Sequence, residues 1–195
     1  MKKIITISRQ FGAGGGEIGR KVASELGFSY TDKDLIYQIA SEISLNPEQV
    51  KEIDEKVSFH FGFAQSLFDM YNSPLDEKLF KAQKEVIRKL GERGNCVIVG
   101  RNANSILAEY DNSLHVFIHA DSYWRVQRMK KDLMKDVPES KIAKHLKDVD
   151  KARAKYCLYY TSSEFGAADS YDLCLCSSTL GIDQCVKIIC EIAES

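Results

Sequence analysis

Gly12, Gly14, Gly15 and Gly16 crowd between a β-branched apolar run (Ile4, Ile5, Thr6, Ile7) and Glu17. Consecutive glycines let backbone N–H groups turn inward around an anion. The unpaired donors and dipole of a following helix start favour negative charge at the same place. The chemistry on offer is phosphate binding, with Ser8, Gly12, Ala13, Gly14, Gly15, Gly16 and Glu17 as the cradle. Cations must neutralise what it holds. Arg9 ends the run before the loop, Arg20 and Lys21 follow one turn after it, and Arg101 and Arg125 come after two later apolar runs. The plainer alternative is a glycine-rich turn that merely joins two elements.

The elements that position these residues can be read from periodicity. From Glu17 onward Ile18, Val22, Ala23 and Leu26 recur at helical spacing and Gly27 stops the pattern, which gives strand, glycine loop, helix. Phe28–Tyr30 reads as a short strand, and Asp32 as the N-cap of an amphipathic segment Lys33–Ile43. Asn46-Pro47-Glu48-Gln49 opens another helix toward Val57. The aromatic-rich stretch SFHFGFAQSLFDMYNSP is core or pocket wall. Leu75–Arg93 forms a helix with Leu79, Val86, Ile87 and Leu90 as its apolar stripe, closed by Gly91 and Gly94.

Cys96–Val99 and His115–Ile118 are continuous apolar runs, the mark of strands buried on both faces. The first ends on Gly100-Arg101-Asn102, and the second at Ala120, with Asp121 capping the helix of Trp124, Arg125 and Arg128. Functional groups on open parallel sheets gather at the carboxyl ends of strands. From Pro138 to about Ser163 runs a long polar helix, either a solvated face or a mobile basic lid over phosphates. Tyr171–Cys176 is a strand, Gly181 breaks, and Ile182–Ala193 is a closing helix. This alternation implies one three-layer α/β domain over residues 1–195, built on a central parallel sheet.

The formal net charge of −1 offers no global field for nucleic acid or an anionic membrane. No run reaches transmembrane length, and Met-Lys-Lys leads into a strand rather than a signal-peptide apolar region. Four of the six cysteines lie within apolar strand or helix patterns, so a reduced cytoplasmic protein is expected. Cys174 and Cys176 lack a CxxC partner or spaced histidines, which makes zinc remote. Nothing in the composition indicates an oligomer.

The loop departs from the Walker pattern G-x-x-x-x-G-K-[ST]. Laid on the GAGKGT pattern of nucleoside monophosphate kinases, GAGGGE puts Gly15 at the lysine, Glu17 at the threonine and Arg9 at the first glycine. The ammonium for the outer phosphates and the hydroxyl for magnesium are both missing. Gly12, Gly14 and Gly19 partly mimic a dinucleotide fingerprint, but the spacing fails beyond Gly14 and Asp32 comes too soon.

In order and spacing, ITISRQFGAGGGEIGRKVASELGF, TDKDLI, VIVGRNAN, HVFIHA with its RVQR, DKARAKYCLYY and YDLCLCSSTLGID resemble the cytidylate kinase-like proteins. These are a branch of the nucleoside monophosphate kinases whose phosphate loop lacks the usual lysine, and the match spans nearly the full chain. The resemblance implies a P-loop fold with a monophosphate-binding helical region over about 33–93 and a lid over about 138–165. It implies transfer of phosphate from ATP to CMP or dCMP with magnesium. It puts Asp32 on the aspartate after the second strand and Arg101 on the arginine that would hold the acceptor phosphate. Lys151 and Arg153 fall on lid positions that close on the transferred phosphate. Asn102 replaces the aspartate of the GRD motif, and Gln38 stands where an acceptor-binding arginine would be.

Phosphoryl transfer depends on positioning and on neutralising charge more than on covalent help from the protein. Arg9, with Arg20 or Lys21, is the candidate for the missing ammonium, although Arg20 and Lys21 read equally as solvent-facing helix residues. Arg125 is a general phosphate neutraliser or one half of a salt bridge. Glu17 either gains from the helix dipole, about 0.3–1 kcal/mol, or holds magnesium together with Asp32. Besides a kinase for CMP or dCMP, the residues admit a nucleotide sensor without turnover and a kinase for another small hydroxylated metabolite.

Overall fold

In the computed structural model, which describes residues 1–32 and 75–195, strand β1 (Ile4–Arg9) is the middle member of a parallel sheet. The helices expected within 33–74, the aromatic-rich stretch and Gln38 lie outside the described residues. Strands β2 (Ser29–Thr31), β3 (Cys96–Val99), β4 (Ser113–His119) and β5 (Leu173–Cys176) complete the order β2-β3-β1-β4-β5. Ile4 pairs with Cys96 on one side and Ser113 on the other, and every pairing is parallel. Between the strands run helices α1 (Gly15–Leu26), α2 (Leu75–Arg93), α3 (Ala103–Ile106), α4 (Ser122–Asp132) and α5 (Glu139–Thr161). After β5 come α6 (Ser177–Leu180) and α7 (Ile182–Glu194).

A strand buried on both faces needs apolar residues at successive positions, and β1 and β3 supply them. Ile5, Ile7, Val97, Val99, Val116 and Ile118 point to the face covered by Ile18 and Val22 of α1 and Val186 and Ile189 of α7. Ile4, Cys96 and Ile98 point the other way, onto Val86 and Ile87 of α2 and Leu107. A third cluster joins α4 to α5 through Val126, Met129, Ile142 and Leu146, with Phe11 of the glycine loop against it. The α/β class and central parallel sheet expected from periodicity are those of the structure.

Boundaries moved for physical reasons. Polar Ser8 and Arg9 extend β1 past the apolar run because the ladder to Phe117 and Ile118 continues. Gly91 does not close α2. It lies inside the helix, where a β-carbon would come within 2.7 Å of Leu107 Cδ2, while Gly94 at φ +67° follows its end. The four-residue helices α3 and α6 are too short for a period to show.

Gly19 is a similar contact glycine, within α1. A β-carbon there would meet Val99 Cγ2 at 2.8 Å and Tyr30 Cε2 at 3.2 Å. Alanine is the better helix former by about 1 kcal/mol, but forcing a methyl against a stiff, buried valine costs about 1–3 kcal/mol. We expect Gly19→Ala to destabilise, read as a lower urea midpoint with unchanged slope. A stabilised variant would show that α1 can move off the sheet.

His115 makes stability depend on pH. Its Nδ1 is 2.8 Å from Thr6 Oγ1 and its Nε2 2.9 Å from Ser113 Oγ. Burial holds its pKa below the ordinary 6.5, against the pull of Asp172. Below about pH 6.5 the unfolded chain takes up a proton that the folded ring refuses, so stability falls as pH drops toward the folded value. Half-buried His145 is displaced the same way. The urea midpoint should be lower at pH 5 than at pH 7.5, with a smaller drop in His115→Gln. An undiminished drop in that variant would assign the effect elsewhere.

Among the described residues no helix is long and apolar enough to cross a membrane. The six cysteines are free thiols.

Candidate active site

Strand β1 delivers the chain to the carboxyl edge of the sheet, where Gly12 (φ +80°) and Gly14 (φ +83°) turn it left-handed into α1. Gly14 is the N-cap of α1 and carries no side-chain cap, so the first amides of the helix have no side-chain acceptor. The rest of the loop is anchored. The Phe11 amide donates to Asp150 Oδ1 at 2.7 Å, and the Phe11 carbonyl accepts from Arg125 Nη1 at 3.1 Å. Arg125 Nη1 also donates to Asp150 Oδ2 at 2.6 Å. Arg153 Nη1 donates to the Arg9 carbonyl and Ser177 Oγ to the Ala13 carbonyl, both at 2.7 Å. Gln10 Oε1 accepts from the Ala120 amide at 3.1 Å. A loop so held pays little reorganisation on meeting an anion.

Three arginines ring it. The stem of Arg9 lies on Gly15: a β-carbon there would be 2.6 Å from Arg9 Cβ. Its guanidinium passes Gly100 and ends with Nη2 3.5 Å from Asp32 Oδ1. Asp32 Oδ2 in turn accepts from the Tyr30 hydroxyl at 2.9 Å. Burial, and then the Asp32 charge, push the Tyr30 phenol up to about 12, so it stays protonated as that donor. Arg128 reaches from α4 to Glu17 Oε2 at 2.7 Å, with Cζ 3.8 Å from a β-carbon placed on Gly14. Arg153 completes the ring, its Cζ 5.5 Å from the centre of the Phe11 ring.

On the β3 side, Gly100 (φ +85°), Arg101 (φ +59°) and Asn102 (φ +54°) are left-handed in succession. Two non-glycine residues in that region store strain that only surrounding contacts can hold, and such strain gathers at functional sites. The contact is Gln83, which is buried and donates from Nε2 to the Arg101 carbonyl at 3.0 Å and to Tyr156 Oη at 3.1 Å. Tyr160 stacks on Phe80 at 4.1 Å between centroids and meets Tyr156 at 4.6 Å, forming an aromatic wall.

The structure thus gathers Arg9, Asp32, the loop glycines and Arg153 at one place, with Arg101 at the adjoining strand end. Several assignments from the sequence need correcting. The Ser8 hydroxyl is turned to Asn104 Oδ1 at 3.4 Å within the core. Arg125 is 7% exposed and engaged with Asp150 and Phe11, a buried pairing rather than an open phosphate ligand or a surface bridge. Each of the two carboxylates expected to hold magnesium is engaged with a cation: Glu17 pairs with Arg128 and Lys21, and Asp32 with Arg9, beside the Tyr30 hydroxyl. Lys21 Nζ lies 2.6 Å from Asp183, which raises its pKa, and Arg20 Nη1 donates to Tyr30 Oη at 3.3 Å. Exposed Lys151 lines a cavity of about 660 Å³ with Gln10, Phe117, His119 and Phe165.

Arg128, Gln83 and Asp150 were missed. Arg128 and Asp150 stood in charge-rich helical stretches where any face looks solvated, and a buried glutamine leaves no pattern at all. Among the described residues no group of three or more His, Cys, Asp or Glu side chains could cage a metal. Asp32 is a partly exposed hard oxygen donor beside Gly16, which fits a magnesium ion held mainly by phosphate oxygens and water.

A glycine loop after the central strand of a β2-β3-β1-β4-β5 parallel sheet, opening on a helix start and ringed by arginines, defines a protein of the P-loop kinase type. The chain belongs to the cytidylate kinase-like family, whose model matches residues 4–179. A cytidylate kinase from Chlamydia caviae is 27% identical over 168 residues, covering 72% of this chain and 74% of that protein. An uncharacterized protein from Eubacterium ventriosum has a similar structure over 100% of this chain and 99% of its own, with a TM-score of 0.76 at 24% identity. The fold is shared more distantly by a shikimate kinase from Bacteroides thetaiotaomicron, at a TM-score of 0.56 and 11% identity over 100% of both chains. A gluconokinase from Sinorhizobium meliloti also has a TM-score of 0.56, at 13% identity over 99% of this chain and 94% of its own.

Proposed function

We propose that this protein transfers the terminal phosphoryl group of ATP to CMP or dCMP. The observation that carries the reading is Arg9, whose guanidinium stands beside the loop that has glycine in place of lysine. The main-chain amides of residues 14–17 hold the donor phosphates, and Arg9 and Arg153 neutralise the group in transit. Arg101, at the end of β3, holds the acceptor phosphate. The aromatic wall of Phe80, Tyr156 and Tyr160 beside it supports an acceptor with a planar base. Magnesium, when bound, supplies further neutralisation of the outer phosphates, with Asp32 holding it through water. Residues 33–93 serve as the acceptor region and 138–165 as the cover. The free cysteines suit a reducing cytoplasm.

A sensor without turnover is the second reading, favoured by the absent lysine and by the ion pair that already occupies Glu17 and Arg128. One assay separates the two. Protein, ATP and magnesium are mixed with each nucleoside monophosphate and with a panel of other small hydroxylated acceptors, and ADP is measured beside nucleotide binding. We expect ADP with CMP and dCMP. Binding without ADP for any acceptor supports the sensor, and ADP only with a different hydroxylated acceptor corrects the substrate.

A further inference from the structure

Gly15 has no conformational reason to be glycine. It lies in the first turn of α1 and is absent from the left-handed residues, so any L-residue suits its backbone. What excludes a side chain is Arg9. A β-carbon on Gly15 would lie 2.6 Å from Arg9 Cβ and 2.7 Å from Cγ. These are the root of the arginine, fixed by the strand, and not a free end that could swing aside. At Gly100 the nearest atoms to a built β-carbon are again those of Arg9, with Cζ at 3.1 Å.

We infer that Arg9 and Gly15 are one exchanged pair: the phosphate-binding cation has moved from the loop to the end of the preceding strand, and Gly15 is glycine to admit its stem. The inference rests on the phosphate site proposed above and deepens it. The relocated charge sits toward Gly100, at the end of β3, and Asp32, and Asp32 keeps it oriented. A loop ammonium is a point charge over the donor, whereas a guanidinium here presents a planar fork that can share oxygens of the donor's terminal phosphate and of the acceptor. Arg9 is therefore a binding residue for both substrates, and Gly15 and Gly100 are the clearances that position it.

The pair makes a counter-intuitive prediction. Gly15→Lys writes the usual loop lysine back and adds a positive charge, yet with Arg9 in place it should weaken polyanion binding, because the two stems claim one space. The test is calorimetric titration of the intact protein with inorganic tripolyphosphate, without metal. It compares wild type, Arg9→Gly, Gly15→Lys and the double variant, with melting temperatures alongside. Each single change should lower affinity about tenfold or more, and the double variant should return to within roughly threefold of wild type.

Gly15→Ala supplies a milder version should the lysine variant fail to fold. It should lose affinity alone and be tolerated once Arg9 is glycine. Tighter or unchanged binding by Gly15→Lys or Gly15→Ala alone, or a double variant as weak as the two losses multiplied, would overturn the pair. So would a wild type that does not bind tripolyphosphate. The titration needs no turnover. A wild type that binds and couples as expected yet forms no ADP refutes the kinase reading alone, and an active enzyme with independent effects refutes the pair alone.

Discussion

Replacing Asp150 by alanine is expected to lower the free energy of unfolding by about 3–5 kcal/mol, the range for breaking one side of a buried ion pair. The side chains of Arg125 and Asp150 are 9% and 18% exposed, so the variant strands a guanidinium that water reaches poorly. It also removes the acceptor of the Phe11 amide. Asp150→Asn keeps an oxygen for Phe11 but not the charge, and should lose less. Urea unfolding at neutral pH measures both. A loss under about 1 kcal/mol for the alanine variant would place Asp150 with ordinary exposed pairs, and the loop would owe its shape to something else.

That expectation bears on the long polar helix. Ile142, Leu146, Val149, Ala152 and Cys157 are buried along one side of α5. From its middle, Asp150 and Arg153 bond directly to Phe11 and Arg9. The solvated-face reading holds for one side of the helix only. Lys141, Lys144, Lys147, Lys151 and Lys155 are exposed as a solvated face should be, while the opposite side is docked on the glycine loop. Any movement of α5 as a cover must break or carry those bonds.

Arg101→Gly is the second change with a large expected effect, and it moves two quantities in different directions. In the proposed acceptor role, loss of its charge-assisted contact to the phosphate, worth about 1.5–3 kcal/mol, corresponds to roughly 10- to 150-fold weaker monophosphate binding. Stability should hold or rise by about 1 kcal/mol, because glycine accepts the left-handed conformation that strains Arg101. Arg101→Ala should weaken binding equally without that relief. Titration with CMP and thermal melts read the two effects. A glycine variant that binds every monophosphate as wild type does would remove Arg101 from the acceptor site.

The legible parts of the chain share a cause. Strand, glycine loop and helix could be read because local backbone preference and hydrophobic period are written into neighbouring residues; within the glycine run Gly12 and Gly14 take left-handed turns while Gly15 and Gly16 already belong to the helix that Gly27 ends. Arg9 could be singled out because it directly precedes the loop. Gly91 was misread for the opposite reason: its constraint is Leu107, an atom contact from another helix end.

From sequence alone came the layered α/β class, the strands buried on both faces and the order of strand, glycine loop and helix, since each follows from residues within a few positions of one another. Only the tertiary structure decided which polar groups meet: Glu17 with Arg128 across 111 residues, the Phe11 amide with Asp150 across 139, and Arg9 with Asp32 over Gly15. A long charged side chain can reach any of several partners once the fold brings them near. Periodicity says which face of a helix is wet, but carries no information about what stands opposite it.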